Sequence, residues 1–173
     1  ASVYGLVIPA AKNLLRDDKR VLRRLIRVRE MVAALLVVVS FRYSIGVFEP
    51  LWAPHMDNLG ASTMVISLSL TGFALPMLII ARWAGSLSDR YSPRITSLLS
   101  AFATVPLMAS YGWITAVPVL FIAAMPYGIM EAIQSPGSQA AVSDAAPKDD
   151  AAAAQGLGEA MGSAASMVGA LSA

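Results

Sequence analysis

The sequence predicts an all-α fold, a polytopic membrane bundle of about five transmembrane helices. Hydrophobic residues make up 57% of its 173 residues and charged residues only 14%. The charged fraction is roughly half of what a soluble domain typically has. No charge occurs from Asn58 to Ala81 or from Ile95 to Met130. Because a bilayer crossing needs about 20 mainly apolar residues, the first segment holds one crossing and the second has room for two.

The five predicted spans follow from these segments and their neighbours. The first is interrupted by Arg42 and Glu49, and the long uncharged segment divides near Tyr111 and Trp113. These two aromatic residues are typical of the water–lipid boundary. The last span is small and apolar. The predicted spans lie at about 31–54, 62–82, 95–112, 117–137 and 155–173.

The basic residues give these spans a direction. Short loops rich in Lys and Arg stay in the cytoplasm. All 13 basic residues except Arg42 fall on one side of the five-span arrangement, in segment 12–29, after the second span and at Lys148. The opposite loops, at 55–61 and 111–116, contain no Lys or Arg. We therefore predict a multi-pass protein of the plasma membrane whose basic segment is cytoplasmic.

The residues before the first span divide into two segments. Residues 1–11 are apolar and precede the basic residues, the reverse of the order in a signal peptide, so we predict the end of a preceding transmembrane helix. Residues 12–30 are dense in Lys and Arg and predict a basic amphipathic linker on the cytoplasmic membrane surface. Its apolar face consists of Leu14, Val21, Leu22, Leu25 and Val28. The flanking membrane segments disfavour nucleic acid as its partner.

Composition also disfavours an enzyme. The chain contains no Cys, which excludes disulfides, a thiolate nucleophile and Cys-ligated metals. Its single histidine, His55, lies near Asp57 without a second metal-ligating histidine or a Ser–base pair. We therefore predict no metal site, no cofactor and no enzymatic activity.

A short motif lies between the second and third predicted spans. Its sequence is Gly85-Ser86-Leu87-Ser88-Asp89-Arg90-Tyr91-Ser92-Pro93-Arg94. It resembles the signature loop of the major facilitator superfamily, roughly Gly-x-Leu-Ala-Asp-Arg-x-Gly-Arg-Arg/Lys. The matching residues are Gly85, Leu87, Asp89, Arg90 and Arg94, whereas Ser92 and Pro93 depart from the expected Gly and Arg. The alternative is an ordinary basic loop in which Asp89 is an incidental helix cap, but the position of the motif favours the family.

The resemblance implies a place within a larger protein. Transporters of this family have two six-helix halves that repeat each other. The basic linker and the degenerate motif favour the second half, so residues 31–173 would be the seventh to eleventh helices. The segments Phe48–Trp52 and Pro136–Val142 also look similar to second-half segments of bacterial efflux proteins. On this interpretation the first half and the twelfth helix are missing.

Charged residues within the spans are candidates for the transport site. Such charges are costly in a membrane and usually functional. Arg42 and Glu131 are predicted at similar depths from the cytoplasmic side, and the resemblance places the seventh and tenth helices together at the central cavity. We hypothesise that Arg42 and Glu131 form a buried ion pair lining that cavity, or alternatively are hydrated independently. Glu49 is a third candidate, although interfacial water alone could solvate it.

Two glycines of the last span, Gly158 and Gly162, are four residues apart, a spacing that permits close helix contact. A nucleotide-binding loop at 156–162 is disfavoured because no strand precedes it. Helix packing is therefore the predicted role of both glycines.

The resemblance implies membrane transport of a small molecule, by efflux through proton-coupled, secondary active alternating access. The implied partners are the lipid bilayer, the missing first half of the transporter, a small-molecule substrate and protons. Two alternatives stay open: a membrane sensor or scaffold that does not transport, and an inactive truncated fragment. Since half of a two-half transporter lacks one wall of its cavity, we expect the 173-residue chain by itself to transport nothing.

Overall fold

The computed structural model describes residues 21–173, and of Ala81, Gly85, Ser88 and Asp89 it describes the backbone only. Within this range the chain forms long α-helices joined by short connections, and it contains no strand. The prediction of an all-α fold is therefore confirmed. The helices are α1 (Arg29–Asn58), α2 (Thr63–Tyr91), α3 (Pro93–Tyr111), α4 (Val117–Ala145) and α5 (Ala151–Ser172), with a 3₁₀ turn at Lys148–Asp150.

Three helical segments of the described chain are long and apolar enough to cross a membrane, judged by length and composition: Arg29–Asn58, Thr63–Ile80 and Val117–Ala145. The other two helices coincide with predicted spans but are more polar. α3 begins next to Arg94 and carries several Ser and Thr residues, and α5 consists mainly of Ala, Gly and Ser. Their packing against apolar neighbours, rather than their own hydropathy, places them in the bundle.

The helices extend beyond the predicted spans. α2 continues through the motif to Tyr91 and α3 begins at Pro93, so Ser92 is the whole connection between them. The prediction of a loop over residues 85–94 is therefore wrong. Charge marks where lipid ends, but a helix can continue into water as long as its backbone hydrogen bonds are formed. Proline at the first helical position then starts α3, since its fixed φ suits that position.

Three helix–helix pairings form the frame of the bundle. α1 packs most extensively against α5, while α4 packs against both α2 and α3. The α1–α5 contact is made by backbone: a Cβ added to Gly46 would lie 2.1 Å from the carbonyl oxygen of Ser166. A Cβ on Gly169 would lie 2.6 Å from the carbonyl oxygen of Tyr43. These approaches are possible only because the glycines carry no side chain.

Apolar side chains form one cluster at each end of the bundle. The cluster at the end where the basic residues lie, which we call the basic end, joins the start of α1 to the end of α4 and the start of α5. Its buried members are Leu25, Met31, Ala34, Leu35, Val38, Ala141, Val142 and Ala154. The cluster at the opposite end contains Trp52, Met56, Ala61, Tyr111, Leu120, Ala124 and Tyr127.

The segment before α1 packs onto the basic end. Residues 21–25 are helical, and Leu25 is fully buried in the basic-end cluster. Arg24 forms an ion pair with Asp150 of the 3₁₀ turn. This part of the predicted linker therefore contacts the protein itself, with Leu25 turned toward the helices. The predicted helix end at 1–11 and the linker up to residue 20 lie outside the described residues.

Candidate functional site

Four charged side chains on α1, α4 and α5 lie well away from the helix ends. Arg42 and Glu49 lie on α1, Glu131 lies on α4 and Glu159 lies on α5. Arg42 and Glu49 are seven residues apart, two helical turns, and so share one face of α1. Glu159 was absent from the residues singled out in the sequence, although a charge within an apolar span was the signal that identified the other three.

Arg42 is paired with Glu159. Its Nη2 donates a hydrogen bond to Oε2 of Glu159 over 2.9 Å, and the two side chains are 36% and 51% exposed. The predicted ion pair between Arg42 and Glu131 is therefore wrong: no salt bridge joins them in the described part of the chain. The reason is the close packing of α1 on α5, which places Gly162 beside the Arg42 stem. A Cβ on Gly162 would lie 2.9 Å from Arg42 Cγ.

Glu131 lines a cavity of about 120 Å³ between α1, α3 and α4. Its side chain is half-buried and forms no hydrogen bond or salt bridge with any described residue. Arg42 and Glu49 lie close enough to interact with it electrostatically. Glu131 is therefore a carboxylate inside the span that has charged neighbours but no direct partner.

Aromatic side chains form a rigid cluster near Glu131, toward the end opposite the basic end. The ring of Phe48 lies 4.6 Å from that of Tyr127, 5.1 Å from that of Trp52 and 5.5 Å from that of Phe73, measured between centroids. Trp52 Nε1 donates a hydrogen bond over 2.8 Å to Ser69 Oγ. These contacts tie α1 to α2 and α4. The sequence drew attention to Phe48–Trp52 but offered no signal for its partners on the other helices.

An apolar groove of about 520 Å³ runs along α1 and α3 on the other side of α1 from Arg42. Ser44, Val47 and Leu51 line it, and by helical geometry they point roughly 140–180° away from Arg42. Its walls are mostly apolar, so this face suits contact with lipid or apolar side chains. The charged residues Arg42 and Glu49 of α1 thus lie on one face of the helix, and the groove lies on the other.

The residues of the Gly85–Arg94 motif lie at the basic end. Gly85 and Asp89 are in the last turns of α2, and their side-chain surroundings are outside the described residues. Leu87 is 37% exposed, and the Arg90 guanidinium lies 6.0 Å from the Tyr91 ring centroid. Arg94 is partly buried in the first turn of α3. The motif therefore spans the end of α2, the one-residue connection and the start of α3.

The two predicted packing glycines differ in their surroundings. Gly162 has the close contact to Arg42 described above, whereas a Cβ on Gly158 would be 3.7 Å from Val142, an ordinary distance. The sequence did not single out Gly46 and Gly169, which make the closest approaches between α1 and α5. A four-residue spacing was the only signal used, and these two glycines lie on different helices.

Comparison with known proteins gives one match. A family model described as Major Facilitator Superfamily matches residues 34–173, which include all five helices apart from the first turn of α1. No curated protein and no solved structure matches the chain.

Proposed function

Because the chain belongs to the major facilitator superfamily, and is thus a membrane transport protein, we propose that it is the second half of a secondary active transporter that exports a small molecule in exchange for protons. The proposal assigns α1–α5 to the seventh to eleventh helices. The proposal rests on a set of charges inside the span. Arg42 and Glu159 form an ion pair. Glu131 is a nearby carboxylate without a direct partner.

The exposed ion pair marks the face along which substrate passes. Charged side chains within a span face water or protein rather than lipid. Arg42 and Glu159 keep a third to a half of their side-chain surface exposed in the chain, so we assign the face bearing them to the aqueous cavity, where it faces the first half of the transporter. Glu49 lies on this face of α1, two turns from Arg42, and is a candidate substrate contact.

Glu131 is the residue we assign to proton coupling. An ionised carboxylate in a low-dielectric interior is costly unless a positive charge or hydrogen-bond donors stabilise it. Arg42, the nearby cation, already binds Glu159. Glu131 can therefore take up a proton in one conformation and release it in another, where Arg42 or the cavity stabilises its charge.

The motif residues have a different proposed role. The motif residues lie on both sides of Ser92: Gly85, Leu87, Asp89 and Arg90 on α2, and Arg94 on α3. Because Ser92 is the whole connection, α2 and α3 have little freedom to move independently at this end. We assign them to the rocking of the bundle between its two conformations, without contact to substrate. Gly162 has a further structural role, since it sets the distance between Arg42 and α5.

The test uses the full-length protein that contains this chain, reconstituted in proteoliposomes with a panel of labelled amphipathic compounds. We expect a pH gradient to drive movement of at least one compound, and Glu131→Gln to abolish that movement. Glu30→Gln, which changes an exposed carboxylate in the first turn of α1, is the matched control and should retain it. Binding without any movement would contradict transport and favour a sensor.

A further inference from the structure

The cavity that Glu131 lines has polar walls on three helices. α1 contributes Ser40 and Ser44, α3 contributes Thr104, and α4 contributes Tyr127 and Gln134 beside Glu131. Apolar side chains, among them Phe41 and Met108, close the remainder of the wall. The cavity volume of about 120 Å³ corresponds to a few water molecules at the roughly 30 Å³ that each occupies in the liquid.

Gln134 indicates what the cavity is built to hold. Its side chain is 4% exposed, and its amide makes no hydrogen bond with any residue that the structure describes. Buried amides generally have hydrogen-bond partners. Among the described residues the fully enclosed polar atoms without a partner are His55 Nε2 and Ser97 Oγ, so the Gln134 amide is not sealed in and reaches open space. Because Gln134 lines the same cavity as Glu131, the contents of that cavity can supply the missing partners.

Two hydroxyl groups of the wall, those of Ser44 and Thr104, are arranged to accept hydrogen bonds. Ser44 donates its hydroxyl proton to the carbonyl of Ser40, and Thr104 donates its own to the carbonyl of Ser100, over 2.9 and 2.8 Å. Their oxygen lone pairs remain available to the cavity, as do the oxygens of Glu131. Gln134 offers both an acceptor and an NH₂ donor. A ligand for this wall must therefore donate several hydrogen bonds and accept a few, and water does both.

We propose that the cavity between α1, α3 and α4 holds a small water cluster, anchored by Gln134, Thr104 and Ser44, through which Glu131 gains and loses its proton. This rests on the proposed function of Glu131. To protonate the ionised Glu131, a water of the cluster transfers a proton to Glu131 Oε and receives one from the aqueous side. One proton enters, the water is regenerated and no other bond changes. Gln134 acts as a positioning residue, since it orients water and does not itself exchange protons.

The charged and titratable groups around Glu131 come from several elements. Arg42 and Glu49 of α1 interact with it electrostatically, and Tyr127 lies one turn away on α4. Glu159 of α5 is bonded to Arg42. The α3 residues that line the cavity are neutral. Removing Gln134 or the Thr104 hydroxyl therefore changes hydration without changing the charge of the site.

The experiment compares two transport modes of the full-length protein in proteoliposomes. Substrate counterflow needs no net proton movement, whereas uptake driven by a pH gradient does. We expect Gln134→Leu to reduce gradient-driven uptake about tenfold, the scale of one lost hydrogen bond to a charged group, while counterflow stays within about twofold of wild type. The infrared band of the protonated carboxyl, identified by its loss in Glu131→Gln, should shift in Gln134→Leu.

Thr104→Val provides a second variant that keeps the shape of the side chain, and it carries the test if Gln134→Leu fails to reach the membrane. Its matched control is Thr71→Val on α2, where the hydroxyl likewise bonds the carbonyl four residues earlier, over 3.1 Å, but lies outside the cavity. Thr104→Val should lower gradient-driven uptake and Thr71→Val should not.

Equal loss of both transport modes, or no loss in either cavity variant, would overturn the water cluster. A wild type that performs counterflow but ignores pH gradients would instead overturn the proton coupling itself.

Discussion

Arg42 on α1 donates a hydrogen bond over 2.9 Å to Glu159 on α5, 117 residues away in sequence. Loss of the carboxylate in Glu159→Gln would leave the guanidinium without its partner. Because both side chains are partly exposed, we expect only about 1 kcal/mol of destabilisation, the upper range for exposed pairs. The double variant with Arg42→Gln and Glu159→Gln should be destabilised by less than the sum of the two single variants. Thermal unfolding in detergent measures all three. Strict additivity would show that the pair contributes no coupling energy.

The contact between α1 and α5 depends on glycine at position 46. A Cβ there would lie 2.1 Å from the backbone oxygen of Ser166, an atom that cannot rotate away. We expect Gly46→Ala to separate the two helices and to destabilise the protein by about 2 kcal/mol or more. Gly156→Ala is the control, since nothing lies within 4 Å of its added Cβ; it should be stabilising by up to about 1 kcal/mol through helix propensity. Equal effects in thermal unfolding would contradict the close packing.

Ser92 joins α2 to α3 with φ of 76° and is the one non-glycine residue of positive φ in the described chain. This left-handed conformation is costly for a residue with a Cβ. We expect Ser92→Gly, which restores the residue of the family motif, to raise stability by about 1 kcal/mol. Ser86→Gly, inside α2, should be destabilising by a similar amount. A Ser92→Gly variant with a lower melting temperature would contradict the strained connection.

Leu25 is fully buried and Ile26, the next residue, is 51% exposed. We expect Leu25→Ala to be destabilising by about 2–4 kcal/mol, the cost of truncating a well-packed core side chain, and Ile26→Ala to have a much smaller effect. Thermal unfolding of the full-length protein in detergent compares the two. Similar small losses would indicate that the segment before α1 lies on the lipid surface, as its amphipathic pattern predicts, and not on the helices.

The number and approximate positions of the helices could be predicted because a membrane leaves the backbone few options. Each apolar segment of about 20 residues must satisfy its hydrogen bonds internally, which makes it a helix. The exact residues at which the helices end could be predicted less well than their number and positions. The charges of the 85–91 segment show where lipid stops, and nothing in that segment forces the helix to stop before Tyr91.

The charged residues were largely visible in the sequence, but their pairing was not. Arg42 stands out in an apolar span, yet its partner depends on which neighbouring helix approaches most closely and with what rotation. Gly46 and Gly169 decide that, through contacts that no spacing along one helix reveals. Gln134 carries no charge and lies among small polar residues, so only its burial in the Glu131 cavity distinguishes it.

In the proposed mechanism Glu131 exchanges a proton as substrate binds or leaves. The direct measurement is proton release from the purified full-length protein in weakly buffered detergent solution when a transported substrate is added at saturation, followed with a pH-sensitive dye. We expect wild type and Glu30→Gln to release protons in proportion to the substrate bound. Glu131→Gln should still bind substrate but release none. Undiminished proton release from Glu131→Gln would contradict the account.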